Sequence, residues 1–171
     1  MWYKKGLINF VIVLSLAAAI ILGSSALNPA ECAEQVYDVT VCVSLDLNPL
    51  VKSPAITIAT YDGKGIMRSN NGGKVFDNCT VHLQGVHVLE GEKGTIYSYM
   101  KYLDPDGDFV IFRLTQNPGE KAGTTTIVMG TGKWKGVTGG GKAVRIAKGK
   151  PVRAGTVQFC NNHKGTVTLP K

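Results

Sequence analysis

Residues 36–46 read VYDVTVCVSLD and carry the clearest structural signal in the chain. Apolar side chains occupy every second position from Tyr37 to Leu45, with polar residues or a cysteine between them. Because the side chains of a strand point alternately to its two faces, this spacing predicts a strand with one buried face. An amphipathic helix would instead place its apolar residues three and four positions apart.

Short segments with the same alternation recur to the end of the chain, and turn-forming residues separate them. The predicted turns are YDG at 61–63, NNGG at 70–73, DPDGD at 104–108 and NPG at 117–119. About eight antiparallel strands with hairpin-length links predict an all-β, up-and-down barrel, because closure leaves no unpaired edge. A two-sheet sandwich is the alternative, since the same alternation serves both folds. After the first strand, further strands are predicted at 55–61, 79–89, 95–103, 108–114, 124–129, 142–148, 156–160 and 165–169.

Residues 1–26 have the features of a secretory signal peptide. Two lysines precede an apolar run at residues 7–26, whose small final residues suit cleavage after Ala26. The run is about as long as a membrane-spanning helix, so an uncleaved anchor is the alternative and the one expected route of membrane contact. Residues 34–171 are predicted to form a single barrel domain in the periplasm or outside the cell.

The chain carries a formal net charge of +7 and has a pI of about 9.3. Its basic residues are spread through the predicted loops, which indicates a solvated surface, so we expect no nucleic-acid partner. Contact with an anionic polymer or lipid is the alternative interpretation of this charge. With 44% hydrophobic and 18% charged residues, the chain is too apolar for an intrinsically disordered protein.

Four cysteines in an exported chain predict disulfide bonds, and four cysteines allow three pairings. No two of them form a CxxC pair, so their spacing supports neither a zinc site nor a thioredoxin-like motif. We favour a bond between Cys79 and Cys160, because both residues flank predicted strands that are far apart in the sequence. The other two cysteines are Cys32 and Cys42.

Several motifs lack a feature that their chemistry requires. Residues 136–143 read GVTGGGKA and approach the phosphate-binding loop, but Ala143 lacks the hydroxyl that binds Mg²⁺ and the following residues predict a strand. The DPDGD segment does not have the spacing of a calcium loop and is interpreted as a hairpin turn. The chain also lacks a GxSxG elbow and a metal-binding histidine spacing. We therefore expect no cofactor and no metal ion.

The segment 79–89 supplies the first candidate site residues. Its apolar and polar residues alternate up to Gly85, where the alternation changes phase. A bulge at Gly85 would restore the register, because one extra residue returns the following apolar side chains to the buried face. The bulge would then place His82, Gln84 and His87 together on the opposite face.

Aromatic residues are concentrated on the next two predicted strands and either fill the core or line a ligand cavity. Tyr97 and Tyr99 share one face of the first of these strands. Arg113 lies opposite Phe112 on the second, and if that face were internal it would be a buried cation that needs a partner or an anionic ligand. The candidate polar lining of a cavity is therefore His82, Gln84, His87, Tyr97, Tyr99 and Arg113.

Residues 130–139 read GTGKWKGVTG and follow the DPDGD turn and a threonine-rich strand. This order resembles the allene oxide cyclase and dirigent-like barrel superfamily, in particular its small secreted bacterial members. The resemblance covers roughly residues 90–171 and implies an eight-stranded antiparallel barrel with an apolar pocket, often in a dimer or trimer. Glycines in the string suit a barrel corner, where Trp134 would plug the end of the barrel.

The resemblance leaves two functional hypotheses. The first is an exported, non-enzymatic barrel that binds a small apolar ligand or a partner protein. The second is a cyclase- or dirigent-like enzyme, since enzymes of the superfamily steer a reactive lipid epoxide or a pair of phenoxy radicals to one stereochemical outcome. No residue here matches their catalytic carboxylates, so we expect the first function. A deep pocket with a buried carboxylate, His or Arg of strongly shifted pKa would favour the enzyme. A membrane-spanning barrel is disfavoured, because several predicted strands are short and carry basic residues on both faces.

Overall fold

The structure of the protein is a computed structural model that describes residues 33–170. The predicted signal segment and Cys32 lie outside the described residues. Within them, no helix is long and apolar enough to cross a membrane.

The described residues form one closed antiparallel barrel of eight strands, as predicted. Each strand pairs with the next in the sequence, and the last strand pairs with the first, so the sandwich alternative is wrong. The apolar residues at every second position from Tyr37 to Leu45 are buried inside the barrel, as expected. The strands are β1 (Ala33–Lys52), β2 (Ile56–Ser69), β3 (Thr80–Glu90), β4 (Lys93–Leu103), β5 (Phe109–Gln116), β6 (Ala122–Gly130), β7 (Thr138–Lys148) and β8 (Thr156–Leu169).

The turn predicted at residues 61–63 is wrong, because β2 runs through it without interruption. Glycine has a different role here. A Cβ atom at Gly63 would lie 2.2 Å from Leu45 Cδ2, and one at Gly65 would lie 2.0 Å from the carbonyl oxygen of Cys42. The two glycines therefore allow β2 to approach β1 closely within the curved wall.

One end of the barrel is filled by five aromatic side chains, which we call the aromatic plug: Tyr37, Phe76, Tyr102, Phe112 and Trp134. Phe76 comes from the loop between β2 and β3, and its ring lies 5.0 to 5.7 Å from the rings of the other four. Trp134 ends a single 3-10 turn (Gly132–Trp134) that follows β6 and is 5% exposed. The expectation that Trp134 plugs the end of the barrel is confirmed.

The DPDGD segment forms the predicted turn between β4 and β5. Lys133 connects this turn to the aromatic plug through hydrogen bonds. The Lys133 ammonium donates hydrogen bonds to Asp104 Oδ1 at 2.8 Å and to Asp106 Oδ2 at 2.7 Å. The backbone N–H of Lys133 donates to Asp108 Oδ2 at 3.0 Å. The three carboxylates are thus engaged with the residue that immediately precedes Trp134.

The disulfide bond joins Cys42 to Cys160, so the predicted bond between Cys79 and Cys160 is wrong. Cys42 and Cys160 are directly opposite each other on β1 and β8, which brings their side chains within bonding reach. Cys79 is instead a buried free thiol, and burial raises its pKa to about 12. The sequence prediction failed because it did not pair the first strand of the barrel with the last.

Candidate functional site

A cavity of about 340 Å³ occupies the half of the barrel opposite the aromatic plug. The neighbouring strands contribute inward-facing side chains at its mouth and along its wall, because each strand alternates between the interior and the outer face. Most of the wall is apolar. These apolar residues are Val41, Val43, Leu45, Leu47, Leu83, Ile96, Met100, Leu114, Val157 and Phe159.

His163 and Tyr102 form a buried polar pair where the cavity meets the aromatic plug. His163 lines the cavity, is 2% exposed, and shares a 2.7 Å hydrogen bond between its Nδ1 and the Tyr102 hydroxyl. Burial lowers the pKa of His163 to about 4 and raises the pKa of Tyr102 well above its ordinary value. Both groups are therefore uncharged at neutral pH, because burial disfavours the charged form of each.

A second polar pair, Arg145 and Asn161, lies beside Phe159 at the mouth of the cavity. The Arg145 guanidinium stacks 3.7 Å from the centre of the Phe159 ring, and its Nε donates to Asn161 Oδ1 at 2.8 Å. The pairing of β7 with β8 shifts register between Arg145 and Ala147. Arg145 lies before this shift, and it faces inward because it alternates regularly with the buried Ala143.

The bulge predicted at Gly85 is wrong, because β3 pairs regularly with both of its neighbours through this residue. A Cβ atom at Gly85 would lie 2.5 Å from the hydroxyl end of the Tyr61 ring and 2.4 Å from the carbonyl oxygen of Tyr97. Gly85 therefore faces the interior and leaves room for Tyr61, which lines the cavity. The uninterrupted register also places His87 in the cavity wall.

The other five predicted lining residues lie on the outer face of the barrel, so their assignment to the cavity is wrong: His82, Gln84, Tyr97, Tyr99 and Arg113. His82 and Gln84 alternate with the interior residues of β3, and both contact Asp62 Oδ2, at 2.9 Å and 2.7 Å. The hydroxyls of Tyr97 and Tyr99 are 2.7 Å apart. Arg113 is exposed on the outside of β5, because Phe112 and Leu114 occupy the interior positions beside it.

Sequence reasoning missed His163, Asn161 and Arg145. The first two had a detectable signal, because they share the alternation of Val157, Phe159 and Val167 and so fall on the apolar face of β8. Arg145 had none, because the apolar Val144 and Ile146 lie on the opposite face of β7, and that face is exposed.

The described residues contain no group of three or more His, Cys, Asp or Glu side chains placed to hold a metal ion. The polar groups of the cavity are instead dispersed around an apolar wall. This is the usual composition of a site for a small organic molecule.

Comparisons with known proteins support the fold. No protein family matches the chain, and no curated protein matches it. Two solved pterocarpan synthase dirigent proteins, GePTS1 and PsPTS1, each match with a TM-score of 0.50, at 14% and 16% identity. The matches cover 81% of this chain and 87% of GePTS1, and 80% of this chain and 97% of PsPTS1.

A protein of unknown function from the DUF3224 family of Shewanella oneidensis MR-1 matches with a TM-score of 0.47 and 10% identity. That match covers 80% of this chain and all of the other. At these identities the dirigent proteins show the fold alone. The chain has a dirigent-like barrel fold.

Proposed function

We propose that this protein is an exported barrel that binds a small apolar ligand in the cavity of its open half. The observation that carries the proposal is a mostly apolar space of about 340 Å³ inside a barrel whose other half is tightly packed. Protein interiors are normally filled to the density of organic crystals, so an unfilled space of this size calls for a function. Sites for small organic ligands begin at about 300 Å³.

Export to the periplasm or the outside of the cell is part of the proposal. It is supported by the sequence of residues 1–26 and by the bond between Cys42 and Cys160, because disulfides persist in oxidising compartments. Native mass spectrometry of protein purified from the exported fraction of expressing cells would report the mature mass, the stoichiometry and any co-purified ligand together.

The test of ligand binding uses two neighbouring positions on β8 that face opposite ways. Val157→Trp would fill the cavity, whereas Gln158→Trp would place the same indole on the outer face. Titration with the neutral apolar dye Nile red, followed by fluorescence, should give wild-type affinity for Gln158→Trp and at least about tenfold weaker binding for Val157→Trp. Equal dye binding by the two variants, with both folded by circular dichroism, would contradict the proposal.

A dirigent-like enzyme is the second candidate, and the His163–Tyr102 pair favours it. The pair places a buried histidine of strongly lowered pKa in the wall of a deep apolar cavity. A neutral imidazole can hydrogen-bond to a bound intermediate or accept a proton from it. The walls would hold a reactive hydrophobic intermediate in one orientation, so that shape determines the stereochemistry of the product.

The second candidate is tested by the handedness of a product. Phenoxy radicals, generated from a phenol by an added one-electron oxidant, couple to a racemic dimer in free solution. Chiral chromatography should show an excess of one enantiomer with the wild-type protein and a smaller excess with Val157→Trp. A racemic product at saturating protein would exclude this activity for the phenol tested and leave ligand binding as the function.

A further inference from the structure

The charge in the cavity wall has a single sign. Arg145 is the only side chain of the wall, among residues 33–170, that carries a permanent charge, and no Asp or Glu contributes to the lining. No described carboxylate forms a salt bridge with Arg145. By contrast, Arg68 pairs with Asp77 and Arg153 pairs with Asp46 on the protein surface.

The Arg145 side chain is held in place while most of its donors remain free. Stacking on Phe159 fixes the plane of the guanidinium, and the bond from Nε to Asn161 fixes its rotation. A guanidinium has five N–H donors, and this bond uses one of them. The remaining donors form a planar fork, which matches the two oxygens of a carboxylate.

The surroundings of Arg145 favour an anion. Arg145 is exposed to solvent at the mouth, and its neighbours exclude part of its water, which lowers its pKa. A bound anion would compensate for the hydration that this cation has lost on the side that faces Phe159 and the cavity. The adjacent part of the wall, which includes Val157 of β8 and Leu45 of β1, is apolar and can accept the hydrocarbon part of the same molecule.

We propose that the ligand of this cavity is a small amphiphilic carboxylate, with its apolar body in the barrel and its carboxylate bound by Arg145. This inference rests on the proposed ligand-binding function and specifies its ligand class. A cavity of 340 Å³ holds the volume of about eleven water molecules at roughly 30 Å³ each, which corresponds to about ten non-hydrogen atoms. Octanoate has this size.

The experiment compares three ligands that share one alkyl chain: octanoate, 1-octanol and octylammonium. Titration calorimetry at neutral pH, below the concentrations at which these amphiphiles aggregate, should show octanoate binding wild-type protein about tenfold more tightly than 1-octanol. Octylammonium should bind most weakly, because its charge has the sign of Arg145.

Three variants assign the preference to Arg145. Arg145→Gln should bind octanoate and 1-octanol with similar affinity, whereas Arg145→Lys should keep part of the preference because it keeps the charge. Arg113→Gln, which removes a cation from the outer face, should behave as wild type. Circular dichroism and thermal unfolding establish that each variant is folded.

Two outcomes overturn the inference. If wild-type protein binds 1-octanol as tightly as octanoate, or if folded Arg145→Gln keeps the preference for octanoate, Arg145 does not select an anion. Binding of 1-octanol in either case would leave the proposed ligand-binding function intact. If none of the three ligands binds and Nile red also fails to bind, the proposed function fails together with the inference.

Discussion

His163 is a titratable residue in a barrel interior that is otherwise mostly apolar, and its only described polar partner is the Tyr102 hydroxyl. The unfolded chain would protonate this imidazole near pH 6.5, whereas burial lowers the pKa in the folded barrel to about 4. The unfolded state therefore binds more protons between these two values, and stability falls as the pH falls through that window.

This difference predicts a pH-dependent stability that belongs to one side chain. When the pH is lowered from 7.5 to 5, His163 should decrease the free energy of unfolding by about 2 kcal/mol, as measured by urea denaturation. His163→Gln should lose this component, since glutamine can still hydrogen-bond to Tyr102 and does not titrate. His82→Gln, on the outer face, should keep it. A His163→Gln variant with the pH dependence of wild type would contradict the prediction.

Gly85 supplies a second prediction at the scale of one residue. A methyl group there would meet the Tyr61 ring and the Tyr97 carbonyl oxygen at about 2.5 Å, and the backbone oxygen cannot swing away. Gly85→Ala should therefore lower the free energy of unfolding by about 1–3 kcal/mol in urea denaturation. Gly149→Ala is the matched control, because its added methyl would find its nearest atom at 3.4 Å. Similar losses in the two variants would show that steric crowding at Gly85 is not the cause.

Among the elements, the connection between the DPDGD turn and Lys133 stabilises the plugged end. Asp104 is 8% exposed, and the Lys133 ammonium is its charged partner at 2.8 Å. Lys133→Met should leave this carboxylate without that partner and cost about 1–3 kcal/mol, because an unsatisfied buried polar group carries its full desolvation cost. Lys135→Met serves as the control, since its side chain is exposed and makes no described salt bridge. If both variants unfold at the same urea concentration, Lys133 does not contribute to stability through Asp104.

Alternation along each strand was enough to predict the barrel and the buried face of β1. On β5 it separated Phe112 and Leu114 from Arg113 but did not determine which face is internal, and Arg113 was assigned to the wrong one. The same rule also gives the correct register of β3, and the error at Gly85 came from assuming that a glycine cannot belong to an apolar face. The assumed bulge grouped His87 with His82 and Gln84, whereas the regular register places His87 in the cavity wall and the other two on the outer face. Glycine at 85 is instead required by Tyr61, a contact between strands that no single-strand pattern contains.

The position of Arg145 could not be predicted for a related reason. Val144 and Ile146 make the other face of β7 the more apolar one in the sequence, yet both are exposed, so which face is internal depends on the closed barrel and not on the strand itself. The link between Cys42 and Cys160 likewise depends on which strands are neighbours after closure, and β1 and β8 are the most distant strands in the sequence.

At the scale of the whole molecule, the disulfide bond joins the two strands whose pairing closes the barrel. The bond spans a sequence separation of 118 residues. A crosslink across a loop of about 100 residues restricts the unfolded chain by about 4.7 kcal/mol in the chain-entropy description. Adding dithiothreitol should therefore lower the urea midpoint of wild-type protein markedly.

The Cys42→Ala and Cys160→Ala double variant provides the control for this prediction. It should unfold at a lower urea concentration than oxidised wild type and should not respond to dithiothreitol. A wild-type midpoint that is unchanged after the bond has been reduced, as verified by thiol titration, would show that closure of the barrel does not depend on the covalent link.

The aromatic plug also determines how a ligand would enter and leave the cavity. Within residues 33–170, the interior of the barrel is closed at the plugged end. A ligand that entered the cavity would therefore have to leave by the route through which it entered. An amphiphilic ligand of the proposed class would then enter with its hydrocarbon tail first and keep its charged group at the open end. Release would follow the same steps in the opposite order, with the charged group leaving first. The residues at the open end would therefore determine the rate of ligand exchange.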